Sequence, residues 1–208
     1  MDKNKYSYIG ISLIILVFGI WAIPKIVTKF TEPDLAIIGQ VPAFSFTNQK
    51  GNTITNASYE GKVYIAEFFF TTCPSICPIM NRNMVIIQDE FYGNPNLGIA
   101  SFSIDPEFDT PAVLQEYATS YGITNPNWHL LTGDKLDIYT LANNGFNLYV
   151  AQNEEVEGGF EHSGFFALVD QQGNIRSRLD EHGNPIVYYN GLEQDQIVML
   201  KDDIKKLL

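Results

Sequence analysis

The chain of 208 residues carries 13 Lys or Arg against 24 Asp or Glu, a formal net charge of −11, and 45% of its residues are hydrophobic. Such a length suits one domain of ordinary size plus an appendage. Four of the basic residues and one acidic residue lie in residues 1–30; the remaining 9 against 23 give residues 31–208 a formal −14, which argues against a nucleic-acid partner, whose footprint is a basic stripe. Two cysteines, Cys73 and Cys77, are too few for a disulfide-stapled scaffold.

The chain opens with MDKNKYSY, then IGISLIILVFGIWAIP, then KIVTKF. From Tyr8 to Val27 the one charge is Lys25, close enough to the end to snorkel, and the run matches the ~20 residues a helix needs to cross a bilayer. Tyr8 and Trp21 fall near the two interfaces. A cleaved signal peptide has a shorter apolar core, ~7–15 residues, followed by small residues that WAIPKIV does not supply, and no cysteine follows to carry a lipid. The expected division is a cytoplasmic N-terminus at 1–7, a transmembrane anchor at 8–27, a tether at 28–40 and a folded domain at 41–208. Lys3 and Lys5 nearly balance Lys25 and Lys29 across the span, and the α-amino group tips the orientation toward a cytoplasmic N-terminus. The expected location is therefore a single-pass bacterial inner-membrane protein whose domain faces the periplasm or an equivalent extracytoplasmic space.

Residues 44–62, FSFTNQKGNTITNASYEGK, read as a hairpin turning at QKGN. KVYIAEFFF, residues 62–70, is nearly uncharged and rich in β-branched and aromatic residues, the pattern of a strand buried on both faces. Residues 79–91 follow with Ile79, Met80, Met84, Ile87 and Phe91 near helical spacing. LGIASFSID, 97–105, is a second strand, and 109–122 a helix with Asp109 or Thr110 as cap and Pro111 in its first turn. NWHLLTG gives a short strand and residues 134–146 a third helix. AQNEEVEGGFE, 151–161, lacks periodicity and reads as an acidic loop; residues 162–180 read as two strands turning at DQQGN. Residues 192–208 close the chain as a helix, acidic early and with Lys201, Lys205 and Lys206 late, in keeping with the helix dipole. This order implies an α/β sandwich with a mixed sheet.

Cys73 and Cys77 fall where the buried strand runs into a helix, a position whose free N–H groups and positive dipole end favour thiolate over thiol. The C-x-x-x-C spacing differs from the C-x-x-C of thioredoxin-type redox pairs; if the segment is helical it places the sulfurs at i and i+4, on one face, able to close a disulfide or to share a soft metal ion. A structural zinc site wants four ligands and no second pair exists. Two thiolates with one imidazole suit copper. Of the three histidines, His129 lies in the apolar NWHLLTG strand and reads as structural, and His182 in DEHGNP as a solvated turn residue. His162, flanked by Gly159 and Gly164 at a loop-to-strand junction, is the one placed to reach another loop. Met80 and Met84, conceivable thioether ligands, sit at core spacing.

FFFTTCPSICPIM, SIDPEFDTP, WHLLTG and EHSGFFALVDQQG, in that order, resemble the Sco/SenC family of copper chaperones, over roughly residues 40–205. The resemblance implies a thioredoxin-like fold in which Cys73, Cys77 and His162 bind one copper ion, as Cu(I) or Cu(II). It also implies a role in assembling the copper centre of cytochrome c oxidase, with a copper-accepting oxidase subunit, and another copper chaperone or a thiol reductant, as partners. Ser75, two residues after the first cysteine, and Glu161, before the histidine, depart from residues common in the family, but neither position is a ligand there. Asp105 and Asp109 match the family motif and read equally well as strand-end and cap residues. The cysteine pair alone supports a second reading, a thiol-disulfide oxidoreductase. A peroxidase is disfavoured, because Ala66 and Phe70 stand where peroxiredoxins place Pro and Thr ahead of the reactive cysteine.

Overall fold

A computed structural model describes residues 11–23 and 35–208, in two compact units divided between Asp34 and Leu35. In the first, residues 11–23 form a helix, α1, whose apolar side chains, among them Leu13, Ile14, Leu16 and Trp21, are exposed. No helix among the described residues is long and apolar enough to cross a membrane. The two ends of the expected span 8–27 lie outside the described residues.

In the second unit the strands are β1 (Ala36–Gln40), β2 (Ser45–Asn48), β3 (Thr53–Thr55), β4 (Val63–Phe69), β5 (Leu97–Ser103), β6 (Trp128–Thr132), β7 (Val150–Gln152), β8 (Phe160–His162), β9 (Phe165–Val169), β10 (Asn174–Ser177) and β11 (Tyr189–Asn190). The helices are α2 (Cys77–Glu90), α3 (Pro111–Tyr121), α4 (Lys135–Thr140) and α5 (Gln194–Leu207). One sheet runs β1-β10-β9-β4-β5-β6-β2-β3, with β11 beside β9, and β7 and β8 form a separate two-stranded sheet. β4, β5 and β6 are parallel, and the strands flanking them are antiparallel. Successive crossovers of the same hand place α2 and α3 on one face of this trio, where they touch each other and α2 also meets α5.

All seven residues of β4 and of β5 are buried, as the apolar run predicts. Their side chains alternate between the faces. Phe69 meets Tyr117 of α3, whereas Phe68 stacks on Phe102 and meets Phe146 beyond α4. Glu67, the one charged residue of β4, therefore points to the same face as Phe69, under α2 and α3.

The two expected hairpins form, each through an Asx turn. Asn48 Oδ1 accepts the N–H groups of Lys50 and Asn52, and Asp170 Oδ1 those of Gln172 and Asn174. Three elements differ from the sequence reading. Ala36–Gln40, within the stretch expected as tether, pairs with β10 at the sheet edge, where Arg176 donates to the Leu35 carbonyl and pairs with Asp170 at 2.9 Å. The third helix ends at Thr140 and relaxes into a π turn over Leu141–Gly145. The acidic segment 151–161 is a β-hairpin, with Val150 opposite His162 and Gln152 opposite Phe160. Strands of three residues are too short to show a period of two, which is why the sequence hides them.

Candidate metal centre

Beyond β4 the chain turns over the carboxyl end of the sheet. Thr71 donates its N–H at 3.1 Å and its hydroxyl to the buried carboxylate of Asp109, which also receives the Ser103 hydroxyl from the end of β5. One carboxylate thus ties the turn after β4 to the neighbouring strand. Thr110, not Asp109, caps α3. The Cys73 N–H reaches back to the Phe70 carbonyl at 3.3 Å. Cys77 is the first residue of α2, in the first turn where the sequence places it, and Pro78 follows, where its missing N–H leaves nothing unsatisfied. The free N–H of Cys77 donates to Cys73 Sγ at 3.4 Å.

His162 ends β8, leading into β9 rather than beginning it. Its Nε2 lies 3.1 Å from Cys77 Sγ and 4.0 Å from Cys73 Sγ. Its Nδ1 sits 3.1 Å from the Ser163 carbonyl, and since a carbonyl only accepts, Nδ1 carries the proton. In the neutral ring the Nε2 lone pair is then the one facing the sulfurs. The Phe70 ring packs edge-on against His162 and also meets Phe160. At the tip of the hairpin Gly158, at φ 91°, comes so close to the turn that a Cβ there would lie 3.0 Å from Pro74 Cδ and 3.1 Å from the Phe70 ring. The hairpin is thus seated on Phe70 and Pro74, and a cleft lined by Phe70, Cys73, Ile76, Phe160 and His162 opens beside the sulfurs.

The two thiols are unlike. The Cys77 S–H donates to Cys73, and against the cost of burial the N–H groups of Cys77 and Ser75 add to this, holding the Cys73 thiol down at about 3. Burial first, then the charge on Cys73, pushes the Cys77 thiol far up. The reduced site is therefore a thiolate at Cys73, 8% exposed, beside a thiol at Cys77, fully buried. Among the described residues, Cys73, Cys77 and His162 form a group whose ligand atoms all lie within 4.8 Å of one another. Two soft sulfurs and one imidazole match the donor preference of copper.

The remaining candidates stay outside the site. His129 receives Asn48 Nδ2 at 3.3 Å, stacks edge-on against Tyr59 and is pushed down to about 4 by burial, a structural residue as expected. His182 is exposed beside Glu181 at 3.5 Å. Met80 and Met84 are fully buried core. Sequence reasoning missed Glu67, hidden in an apolar run, and the tying role of Asp109, which its cap-like position before Pro111 disguises.

Fold and site together define a thioredoxin-like domain carrying a Cys2His group able to hold a metal at the junction of a central strand and a helix. The SCO1/SenC family model matches residues 37–195, and the chain belongs to that family. It is 33% identical over 168 residues to the SCO1 protein homolog of Bacillus subtilis, covering 80% of this chain and 81% of that protein. The structure of BsSco, described as a member of the Sco family of cytochrome c oxidase assembly proteins with a disulfide switch, superposes with a TM-score of 0.68 at 32% identity, over 81% of this chain and 93% of that one. Yeast Sco1 with copper bound shares the fold at a TM-score of 0.62 and 23% identity, over 82% of this chain and 91% of that one.

Proposed function

We propose that this protein is a membrane-anchored copper chaperone that assists assembly of the copper centre of cytochrome c oxidase, with residues 8–27 as anchor, 28–40 as tether and the domain on the extracytoplasmic side. The observation that carries the reading is the convergence of Cys73 Sγ, Cys77 Sγ and His162 Nε2, donors 85 and 89 residues apart in the chain for the two Cys–His pairs. Cys73, already a thiolate, is the first donor to an incoming ion. Cys77 gives up its S–H proton as it becomes the second, and the Ser163 carbonyl keeps His162 Nε2 aimed at both. A copper-accepting oxidase subunit is the proposed recipient. Another copper chaperone, or a thiol reductant that keeps the cysteines reduced, is the proposed donor-side partner. Copper titration of the reduced domain 35–208 tests this: one ion per chain is expected, and Cys73→Ala and Cys77→Ala should each abolish stoichiometric binding. Unchanged binding in both variants and in His162→Ala would overturn it. Labelling of Cys73 in whole cells by a membrane-impermeant thiol reagent tests the side of the membrane.

The thiolate at Cys73 favours a second reading, a thiol-disulfide oxidoreductase acting on cysteines of an oxidase subunit or another extracytoplasmic protein. That chemistry does not need the imidazole as a ligand. Full biological activity in His162→Ala with copper binding lost would select it over metal delivery.

A further inference from the structure

The tip of the hairpin rests on Phe70 and Pro74; its open end, where Val150 stands opposite His162, is held from another part of the molecule. Asn143, in the π turn that follows α4, gives its Nδ2 to the Val150 carbonyl at 3.0 Å and receives the Val150 N–H on its Oδ1 at 3.0 Å. The same Nδ2 donates to the Tyr139 carbonyl at 3.0 Å, one turn back. Only one orientation of the amide satisfies all three bonds, because turning it over sets its oxygen against two carbonyls and its nitrogen against an N–H. The N–H and the carbonyl of a strand residue point to the same side, so Val150 directs both at Asn143 and neither at His162. Val150 and His162 are therefore a pair without ladder hydrogen bonds, the kind whose side chains stand closer. The asparagine amide lies along β7 as a third strand would.

This tie reaches the core. π turns are rare and recur at functional sites; here the Phe146 N–H bonds the Leu141 carbonyl and the Leu148 N–H the Ala142 carbonyl. The Phe146 ring is fully buried against Phe68 and Phe102. Asn147 follows at φ 51°, a left-handed conformation that asparagine tolerates, and the chain turns there so that Val150 comes back beside Asn143. Val150 is 3% exposed, so without the amide its N–H and carbonyl are left buried and unpaired. Two residues on, Gln152 accepts from Lys135 of α4 at 2.7 Å, but at an exposed position, where a hydrogen bond exchanged with water holds little. We propose that Asn143 is a positioning residue for His162: by completing the main-chain bonds of Val150 it fixes the strand opposite the imidazole, and with it the place of Nε2 relative to the two sulfurs. The inference rests on the reading of Cys73, Cys77 and His162 as one ligand set. Asn143 makes no hydrogen bond to any of the three and acts through Val150.

Modification of the metal-free, reduced full chain in detergent by diethylpyrocarbonate, read histidine by histidine in a mass spectrometer, tests this in Asn143→Ala. His162 should react about tenfold faster than in wild type, the loosening expected when the two bonds to Val150 are lost. His182, exposed beside Glu181, and His129, bonded to Asn48, should keep their wild-type rates. A variant that merely destabilises the domain would speed His129 as well; that result, or an unchanged rate at His162, would overturn the inference. Asn143→Asp is the second variant. Close in size, it still accepts the Val150 N–H but sets a carboxylate oxygen against the carbonyls of Val150 and Tyr139, so it should free His162 to a similar extent, and wild-type reactivity there would also overturn the inference. In copper competition Asn143→Ala should keep the wild-type stoichiometry and bind about tenfold more weakly, because the binding-competent arrangement is then populated only part of the time; equal affinity would remove the positioning role. A wild-type chain that takes up no copper would sink the proposed function instead, and the histidine rates, which need no metal, would still decide for or against Asn143.

Discussion

The turn carrying Cys73 and Cys77 and the hairpin carrying His162 supply one candidate ligand set from opposite kinds of structure. The turn sits on β4, buried on both faces, is tied to β5 through Asp109 and continues into the 14-residue helix α2. The hairpin is a two-stranded sheet of three residues a side, outside the main sheet, and every residue of β8 is only half-buried. A two-stranded hairpin is marginal on its own; what seats this one is Phe70 and Pro74 of the turn. The thiols are therefore fixed by the core of the domain and the imidazole by a small contact, so of the three candidate ligands the imidazole is the one held least firmly.

The largest expected contrast is in amide exchange. Amides of β4 and β5 should exchange through global opening on the order of 10 kcal/mol, and those of β7 and β8 through local opening of under about 3 kcal/mol. Equal protection of the two regions would remove the distinction. Next, Phe70→Ala should cost about 3–5 kcal/mol in urea unfolding and should also free the hairpin, because the ring belongs to the core and to the seat of His162. Cys73 sharpens the electrostatic side. At pH 6.5 an ordinary thiol is about 1% thiolate, whereas Cys73, held near 3, is fully ionised, so its alkylation by iodoacetamide should hold constant from pH 8 down to about 4 while Cys77 stays unreactive. The smallest effect falls on the hairpin alone. Gly158→Ala puts a Cβ at positive φ and against Pro74, which should cost about 1–2 kcal/mol and weaken copper binding while leaving exchange in β4 unchanged.

How far the sequence discloses this contrast follows from how local each signal is. The rigid half is written in contiguous residues: an apolar run, two cysteines with prolines, and a helix of core spacing. Turns at Asn48 and Asp170 are equally local, since an Asx side chain and a glycine suffice to set them. The hairpin is not, because its strands are three residues long and its tip is acidic, so it reads as loop. His162 carried no local signal beyond its glycine neighbours and was placed by the resemblance of the whole motif series. Glu67 and Asp109 gain their meaning only from cross-strand neighbours, Ser101 for one and Thr71 with Ser103 for the other.

The pairing of β9 with β4, Ala167 opposite Ala66, bears on when the site can be assembled during biosynthesis. The strand leading to the cysteines and the strand that follows the histidine are neighbours in space and about a hundred residues apart in synthesis, a contact that forms late. A nascent chain that has emerged only through α4 holds both thiols but not His162. The three candidate ligands are thereby brought together only once the central sheet is complete, in a finished domain rather than an unfolded chain with loose cysteines.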